Sequence, residues 1–190
     1  NSLENYAKDP YMLTVMAVLI ITGSFGFLVW QDLLQFPKRH HLSLHTHLVL
    51  RTGAVIFVIS VLVYFLTEHN LGQFSRGLSY PQRIFNTIFM AITPRTAGLV
   101  TIPYTKLSAA GISTTIILMF IGGAPGSTAG GIKTTTIGLL TLQSIATLRG
   151  RRDTVFAHRR FTDENVFRAL TLLFVAFAIL MISILLLVET

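Results

Sequence analysis

The sequence predicts an all-α polytopic membrane protein, with helices that cross the bilayer, one short re-entrant pore helix and one interrupted transmembrane helix. Of its residues 52% are hydrophobic and 12% are charged, whereas about 25% of the residues of an average soluble domain are charged. The mean hydropathy is +0.64. Apolar residues also fall into runs of about twenty, the length that one crossing requires. We therefore expect a multi-pass protein of the plasma or inner membrane, in contact with lipid.

Composition also excludes several classes of function. The chain contains no cysteine, so disulfides, thiolate metal sites and thiol catalysis are ruled out. Its net charge of +7 lies mostly in short loops between apolar runs, where basic residues set membrane topology rather than bind nucleic acid. The sequence shows no spacing typical of a catalytic triad, no paired carboxylates in an apolar setting and no cofactor motif. We expect neither an enzyme nor a bound cofactor, and no nucleic-acid partner.

The first apolar run, residues 11–30, contains no charge and is long enough to cross once. It leads to a basic segment with three fixed positive charges and four histidines: Lys38, Arg39, Arg51, His40, His41, His45 and His47. The positive-inside rule places this segment in the cytoplasm. Because no carboxylate lies between the histidines, a solvated basic surface is favoured over a metal site. Residues 48–67 then return across the membrane to an outer loop.

The next segment, residues 79–101, is predicted to be a re-entrant pore hairpin. Its apolar part begins at Pro81, with Ser79 and Gln82 as start signals, and stops before Pro94. The residues 81–92 would extend only about 18 Å, well short of a hydrocarbon layer of about 30 Å. Irregular backbone at membrane depth is tolerated only where protein or water covers it, as along a pore.

The returning strand of this hairpin is the candidate ion selectivity filter. Its residues are Thr96, Ala97, Gly98 and Leu99. Their backbone carbonyls can replace the hydration shell of a cation, and the preceding helix points the negative end of its dipole into the membrane. For Arg95, a clamp behind the filter is favoured over a place in the ion path, where a fixed positive charge would repel cations. We expect a positive φ at Gly98, or a backbone so close to the path that a Cβ atom would intrude.

Residues 107–148 are predicted to form one interrupted crossing. Their only charge is Lys133, and five glycines and a proline occupy the centre of the run, where they cannot continue a regular helix. The following residues 149–168 include six arginines and are expected to be cytoplasmic. Because the hairpin is too short to span, a single crossing over 107–148 satisfies this topology. Residues 169–188 then cross outward.

The interruption is the candidate gating loop. The candidate residues are the ten of the loop and the lysine that follows it: Gly122, Gly123, Ala124, Pro125, Gly126, Ser127, Thr128, Ala129, Gly130, Gly131 and Lys133. Small residues and hydroxyls favour a movable segment, and a charge within the membrane is costly and by default functional. A helix kink whose glycines allow close packing is the plainer interpretation. A nucleotide-binding loop is disfavoured, because Ile132 separates the last glycine from Lys133 and no strand precedes the loop.

Two segments resemble a known family. FMAITPRTAGL is similar to the third pore loop of the Ktr/Trk/HKT superfamily of potassium transporters, whose one filter glycine falls on Gly98. GGAPGSTAGGIKTTT resembles the intramembrane loop that interrupts the second helix of the third repeat and lies beneath the filter. The family repeats a membrane-pore-membrane unit four times. By this resemblance, residues 11–36 are the last helix of the second repeat, residues 48–148 the third repeat and residues 166–188 the first helix of the fourth, and the other three pore loops lie outside this fragment.

The resemblance implies potassium uptake down the electrochemical gradient, stimulated by sodium in Ktr members. It also implies a homodimeric membrane subunit that carries a cytosolic nucleotide-binding regulatory subunit. The retained Gly98 favours potassium over sodium, since serine at a filter glycine is associated with sodium in plant-like relatives. Two alternatives stay open: a structural or regulatory membrane subunit without its own pathway, and a secondary transporter for another solute, because broken helices occur in those proteins as well.

Overall fold

The computed structural model describes residues 3–68, 78–95, 97–150, 155–156 and 159–188. These residues form seven α-helices: α1 (Pro10–Ser24), α2 (Gly26–Arg39), α3 (Leu44–Thr67), α4 (Tyr80–Ile92), α5 (Ala109–Phe120), α6 (Thr134–Leu148) and α7 (Asp163–Val188). A short antiparallel hairpin of β1 (Val155–Phe156) and β2 (Arg159–Arg160) precedes α7. The predicted all-α class is confirmed apart from this small hairpin.

Two of the described helices are long and apolar enough to cross a membrane. They are α3, with 24 residues, and the segment Glu164–Leu187 of α7. α1 and α2 together make a third candidate, which is bent by 98°. The chain is thus a multi-pass membrane protein.

The run that the resemblance assigns to one membrane helix, residues 11–36, is divided into two helices. α1 begins at Pro10, capped by the side chain of Asp9, and ends at Ser24. α2 begins at Gly26, whose φ of +73° is outside the α-helical region and is readily adopted only by glycine. One residue in the left-handed region therefore turns the chain sharply, and the two helices together can still make one bent span.

α4 is the short helix that the sequence predicted. Its capping box forms as expected, with the backbone N–H of Ser79 donating to Oε1 of Gln82 at 2.8 Å. With 13 residues it extends only about 20 Å, too little to span the hydrocarbon layer. The following run is also interrupted as predicted, since residues 121–133 separate α5 from α6.

α4 lies in the core of the fold, packed on one side by α1 and on the other by α3. One cluster of buried side chains joins it to α1: Leu3, Leu13, Ala17, Phe89 and Ile92. A second cluster joins it to α3 and α5: Tyr64, Met90, Ala91, Ile102, Leu107 and Leu118. The helix that leads to the candidate filter is therefore held from both sides by apolar packing.

Candidate functional site

The filter hairpin turns back directly after α4 and is closed by its own hydrogen bonds. The N–H of Ala97 donates to the carbonyl of Thr93 at 3.2 Å. The hydroxyl of Thr93, a residue only 3% exposed, donates to the carbonyl of Leu99 at 2.5 Å. Because it accepts this bond, the Leu99 carbonyl supports the hairpin from within. Thr96, the first predicted filter residue, lies outside the described residues.

Gly98 has the backbone conformation that the sequence predicted. Its φ is +66°, and a Cβ atom built there would meet nothing within 4 Å. The residue is exposed. The positive φ is therefore sufficient to explain the glycine at this position. The alternative expectation, that the backbone lies close to the ion path, stays a prediction.

Residues near the start of the chain support the hairpin in a way that the sequence analysis missed. The N–H of Leu3 donates to the carbonyl of Val100 at 2.7 Å. Asn86, fully buried on α4, donates through Nδ2 to the carbonyl of Ala7 at 2.7 Å. The side-chain amide of Asn86 in a short apolar helix could have indicated such a contact, since a buried polar group requires a hydrogen-bond partner.

Arg95, directly before the predicted filter residues, is hydrogen-bonded to α3. Its Nη2 atom donates to the carbonyl of Gly53 on α3 at 3.3 Å. Its side chain lines both the cavity beneath the filter and a second cavity of 360 Å³ between α1 and α3. The bond to Gly53 ties the guanidinium to α3, while the residue also borders the cavity that Ala97 and Leu99 line. The clamp role therefore stays a prediction.

Hydrogen bonds that the sequence analysis missed also join α3 to α5. Glu68, at the end of α3 and 4% exposed, accepts a hydrogen bond from the N–H of Ser108 at 3.0 Å. One turn earlier, the hydroxyls of Tyr64 and Thr115 are 2.7 Å apart. Both contacts lie behind the pore helix, beside the cluster that contains Met90. They fix the first half of the interrupted helix relative to α3.

The glycine loop is closed at its base by backbone pairing. Ile121 and Ile132 form a parallel bridge, and the N–H of Gly122 donates to the carbonyl of Ile132 at 2.9 Å. The N–H of Thr134 donates to the carbonyl of Gly123 at 3.1 Å. A Cβ atom on Gly122 would lie only 1.5 Å from the carbonyl oxygen of Gly130. The loop is thus more tightly built than a run of small residues would suggest, and close packing is one reason for its glycines.

Lys133 is partly buried and has a partner within the loop. Its Nζ atom donates to the carbonyl of Ala129 at 2.7 Å. Several loop amides are also bonded to protein acceptors, including those of Ala124, Ser127 and Ile132. Amides used in this way cannot cradle a phosphate, so the geometry does not favour nucleotide binding.

The filter hairpin and the glycine loop meet at one cavity of 270 Å³. Ala97 and Leu99 line it from the hairpin, and Thr128 and Ala129 line it from the loop. The remaining lining residues are Arg95 and, on α1, Met16, Leu19, Ile20, Gly23 and Ser24. Two segments that are about thirty residues apart in sequence therefore face the same space.

The basic segment shows no metal-binding arrangement within the described part of the chain. No group of three or more histidine, aspartate or glutamate side chains is placed to hold a metal ion there. Asp32 on α2 instead accepts a hydrogen bond from the N–H of Ser43 at 3.2 Å and another from the hydroxyl of Thr46 at 2.5 Å. These bonds connect α2 to the start of α3.

Comparison with known proteins identifies similar chains. The family model described as TrkH, cation transport protein, matches residues 1–190. The chain is 38% identical over its whole length to the potassium/sodium uptake protein NtpJ of Enterococcus hirae, of which it covers 42%. It is 34% identical, over 93% of its length, to the Ktr system potassium uptake protein B of Bacillus subtilis, of which it covers 41%. The chain therefore spans less than half the length of these curated relatives.

A solved structure shares the fold. The crystal structure of the potassium transporter TrkH from Vibrio parahaemolyticus superposes with a TM-score of 0.72 at 22% identity. The match covers 93% of this chain and 40% of the other.

Proposed function

Because this chain belongs to the TrkH family of cation transport proteins, we propose that its full-length parent conducts potassium across the membrane, with the filter hairpin and the glycine loop lining the pathway. The shared cavity carries this proposal, since filter residues and loop residues line the same space. The printed names of the two relatives, which refer to potassium/sodium uptake and potassium uptake, favour a monovalent cation.

In this proposal the hairpin selects the ion. The positive φ at Gly98 allows the strand to turn, and backbone carbonyls of the hairpin replace the water around the cation. The Arg95 clamp holds the strand from behind through Gly53. The glycine loop lies on the same cavity and acts as the gate.

We also propose the partners that the family resemblance implies. These are a second copy of the membrane subunit, and a cytosolic nucleotide-binding regulatory subunit that acts on the gate. Sodium is proposed as an activator. A structural subunit without a pathway and a transporter for an organic solute are the competing functions.

Ion uptake by the full-length parent tests the proposal. In cells that lack their own potassium uptake systems, the parent should restore growth and potassium uptake at low potassium. Gly98→Ser should reduce the preference for potassium over sodium, by roughly tenfold if about 1.4 kcal/mol of selectivity depends on this position. Gly150→Ser is the matched control, because Gly150 has a φ of +69° and equally open surroundings, but lies outside the hairpin.

The outcomes separate the candidate functions. Normal insertion without ion uptake would favour a structural subunit, and uptake of an organic solute alone would favour the secondary transporter. An unchanged ion preference in the Gly98→Ser variant would contradict the filter assignment.

A further inference from the structure

The apex of the glycine loop is bound to the break between α1 and α2. The N–H of Ala124 donates to the carbonyl of Ser24 at 2.9 Å, and the N–H of Phe27 donates to the carbonyl of Gly126 at 3.3 Å. The hydroxyl of Thr128 reaches the carbonyl of Gly23 at 3.4 Å. Loop and break are about a hundred residues apart in sequence, and nothing in the local sequence of either suggests the contact.

The three contacts satisfy the backbone groups that the break releases. In a continuous helix the N–H of Phe27 would donate to the carbonyl of Gly23, and the carbonyl of Ser24 would accept from residue 28. The break removes these bonds, and the loop replaces them. An unpaired backbone group costs free energy wherever protein rather than water covers it. These hydrogen bonds therefore stabilise the break and keep the loop in place.

The shapes of the two segments also match. A Cβ atom on Gly26 would lie 2.5 Å from the carbonyl oxygen of Pro125, and one on Gly126 would lie 2.7 Å from the ring of Phe27. Ala124, which is 1% exposed, packs in one cluster with Val29 of α2 and Val49 of α3. Only glycine at position 26 allows this approach, both because of the contact and because its φ is +73°.

We propose that the α1–α2 break is the docking site of the gate, with Gly26 and Phe27 as positioning residues. The loop leaves the cavity only when the break rearranges, because otherwise the backbone groups at 23, 24 and 27 lose their partners. α2 is thereby the element that passes a cytoplasmic signal to the gate, since it leads from the break to the basic segment and is tied to α3 through Asp32. This inference rests on the proposed gating function of the loop.

The first test displaces the loop from the break in the full-length parent. Gly26→Ala should raise ion flux by roughly tenfold, the factor that corresponds to a typical destabilising substitution. Gly150→Ala should leave flux unchanged, because it introduces the same positive-φ strain at φ +69° with no atom within 4 Å. Phe27→Ala, which removes the ring against Gly126 without backbone strain, should raise flux less. If Gly26→Ala and Phe27→Ala both insert normally with the parent's flux, the inference is wrong.

The second test locks the loop in place. Cysteines at positions 29 and 124 replace Val29 and Ala124, in a parent without other cysteines. Oxidation should reduce flux at least about tenfold, and a reductant should restore it. Full flux with a complete cross-link would overturn the inference, as would an inserted protein in which the pair never forms a cross-link.

A deletion separates this inference from the gate assignment. Removing residues 124–130 should raise flux whether or not the break has a signalling role. If the deletion inserts normally and leaves flux and its regulation unchanged, the loop is no gate and both proposals fail. If the deletion raises flux but the locked pair still conducts, the gate assignment stands and only the docking inference fails.

Discussion

The filter hairpin and the glycine loop are both irregular segments between helices, yet they use glycine for opposite reasons. A Cβ atom on Gly98 would meet nothing within 4 Å, whereas one on Gly122 would lie 1.5 Å from a backbone oxygen. Side-chain bonds of Thr93, Arg95 and Asn86 add to the backbone bonds of the hairpin, while the loop is held largely by backbone pairs. Gly98 is thus needed for its backbone conformation, whereas Gly122 is needed because the neighbouring backbone leaves no space for a Cβ atom.

The two segments are therefore suited to different tasks. An exposed strand whose conformation is set from behind can offer its surface to a ligand without losing contacts. A loop whose backbone groups are bonded to a neighbouring helix break must exchange those bonds before it moves. In the proposed function, ion selection is accordingly assigned to the hairpin and a costly two-state movement to the loop.

The largest expected effect comes from Gly122→Ala. The added methyl group would collide with the backbone of Gly130, which cannot withdraw as a flexible side chain could. We expect a loss of more than about 3 kcal/mol of stability, which lowers the unfolding temperature of the purified protein strongly. Gly98→Ala should cost only about 1 to 2 kcal/mol, from its positive φ. Thermal unfolding of the two purified full-length variants measures the difference in stability. Similar unfolding temperatures would contradict the expectation that the two glycines are needed for different reasons.

A smaller effect is expected from Lys133→Met, which keeps the length of the side chain but removes the donor to Ala129. A hydrogen bond from a charged group contributes about 1.5 to 3 kcal/mol, less the desolvation that the methionine avoids. The loop should become looser, with a lower unfolding temperature and a raised basal flux. Lys106→Met, at an exposed position, is the control. A stabilised protein with unchanged flux would show that the lysine does not restrain the loop.

The smallest effect should follow Thr93→Val, which preserves shape but removes the hydroxyl bond to Leu99. One such bond contributes about 0.5 to 1.5 kcal/mol, so the preference for potassium over sodium should fall by roughly two- to tenfold. Thr101→Val is a closely matched control, because its hydroxyl is equally buried and has no partner among the described residues. Equal ion preferences in the two variants would mean that the Leu99 bond does not shape the filter.

Local sequence was sufficient for the short pore helix and for the interrupted helix. Pro81 and Pro94 bound an apolar stretch too short to span, and five glycines with Pro125 cannot continue a helix. The positive φ at Gly98 was also predictable, since a tight return next to a filter favours glycine. Each of these features depends on neighbouring residues, which the printed sequence shows directly.

The position of the break between α1 and α2, and the hydrogen bonds around the candidate site, could be seen only in the folded chain. Gly26 lies in an uncharged apolar run that is long enough for one crossing. Its neighbour in space is the carbonyl oxygen of Pro125, about a hundred residues away in sequence, which would lie 2.5 Å from a Cβ atom at position 26. The same holds for the bonds of Arg95 to Gly53 and of Glu68 to Ser108. Each of these contacts forms because two segments that are distant in sequence bring a donor and an acceptor together in the folded chain. Composition and periodicity describe only local sequence and therefore cannot predict them.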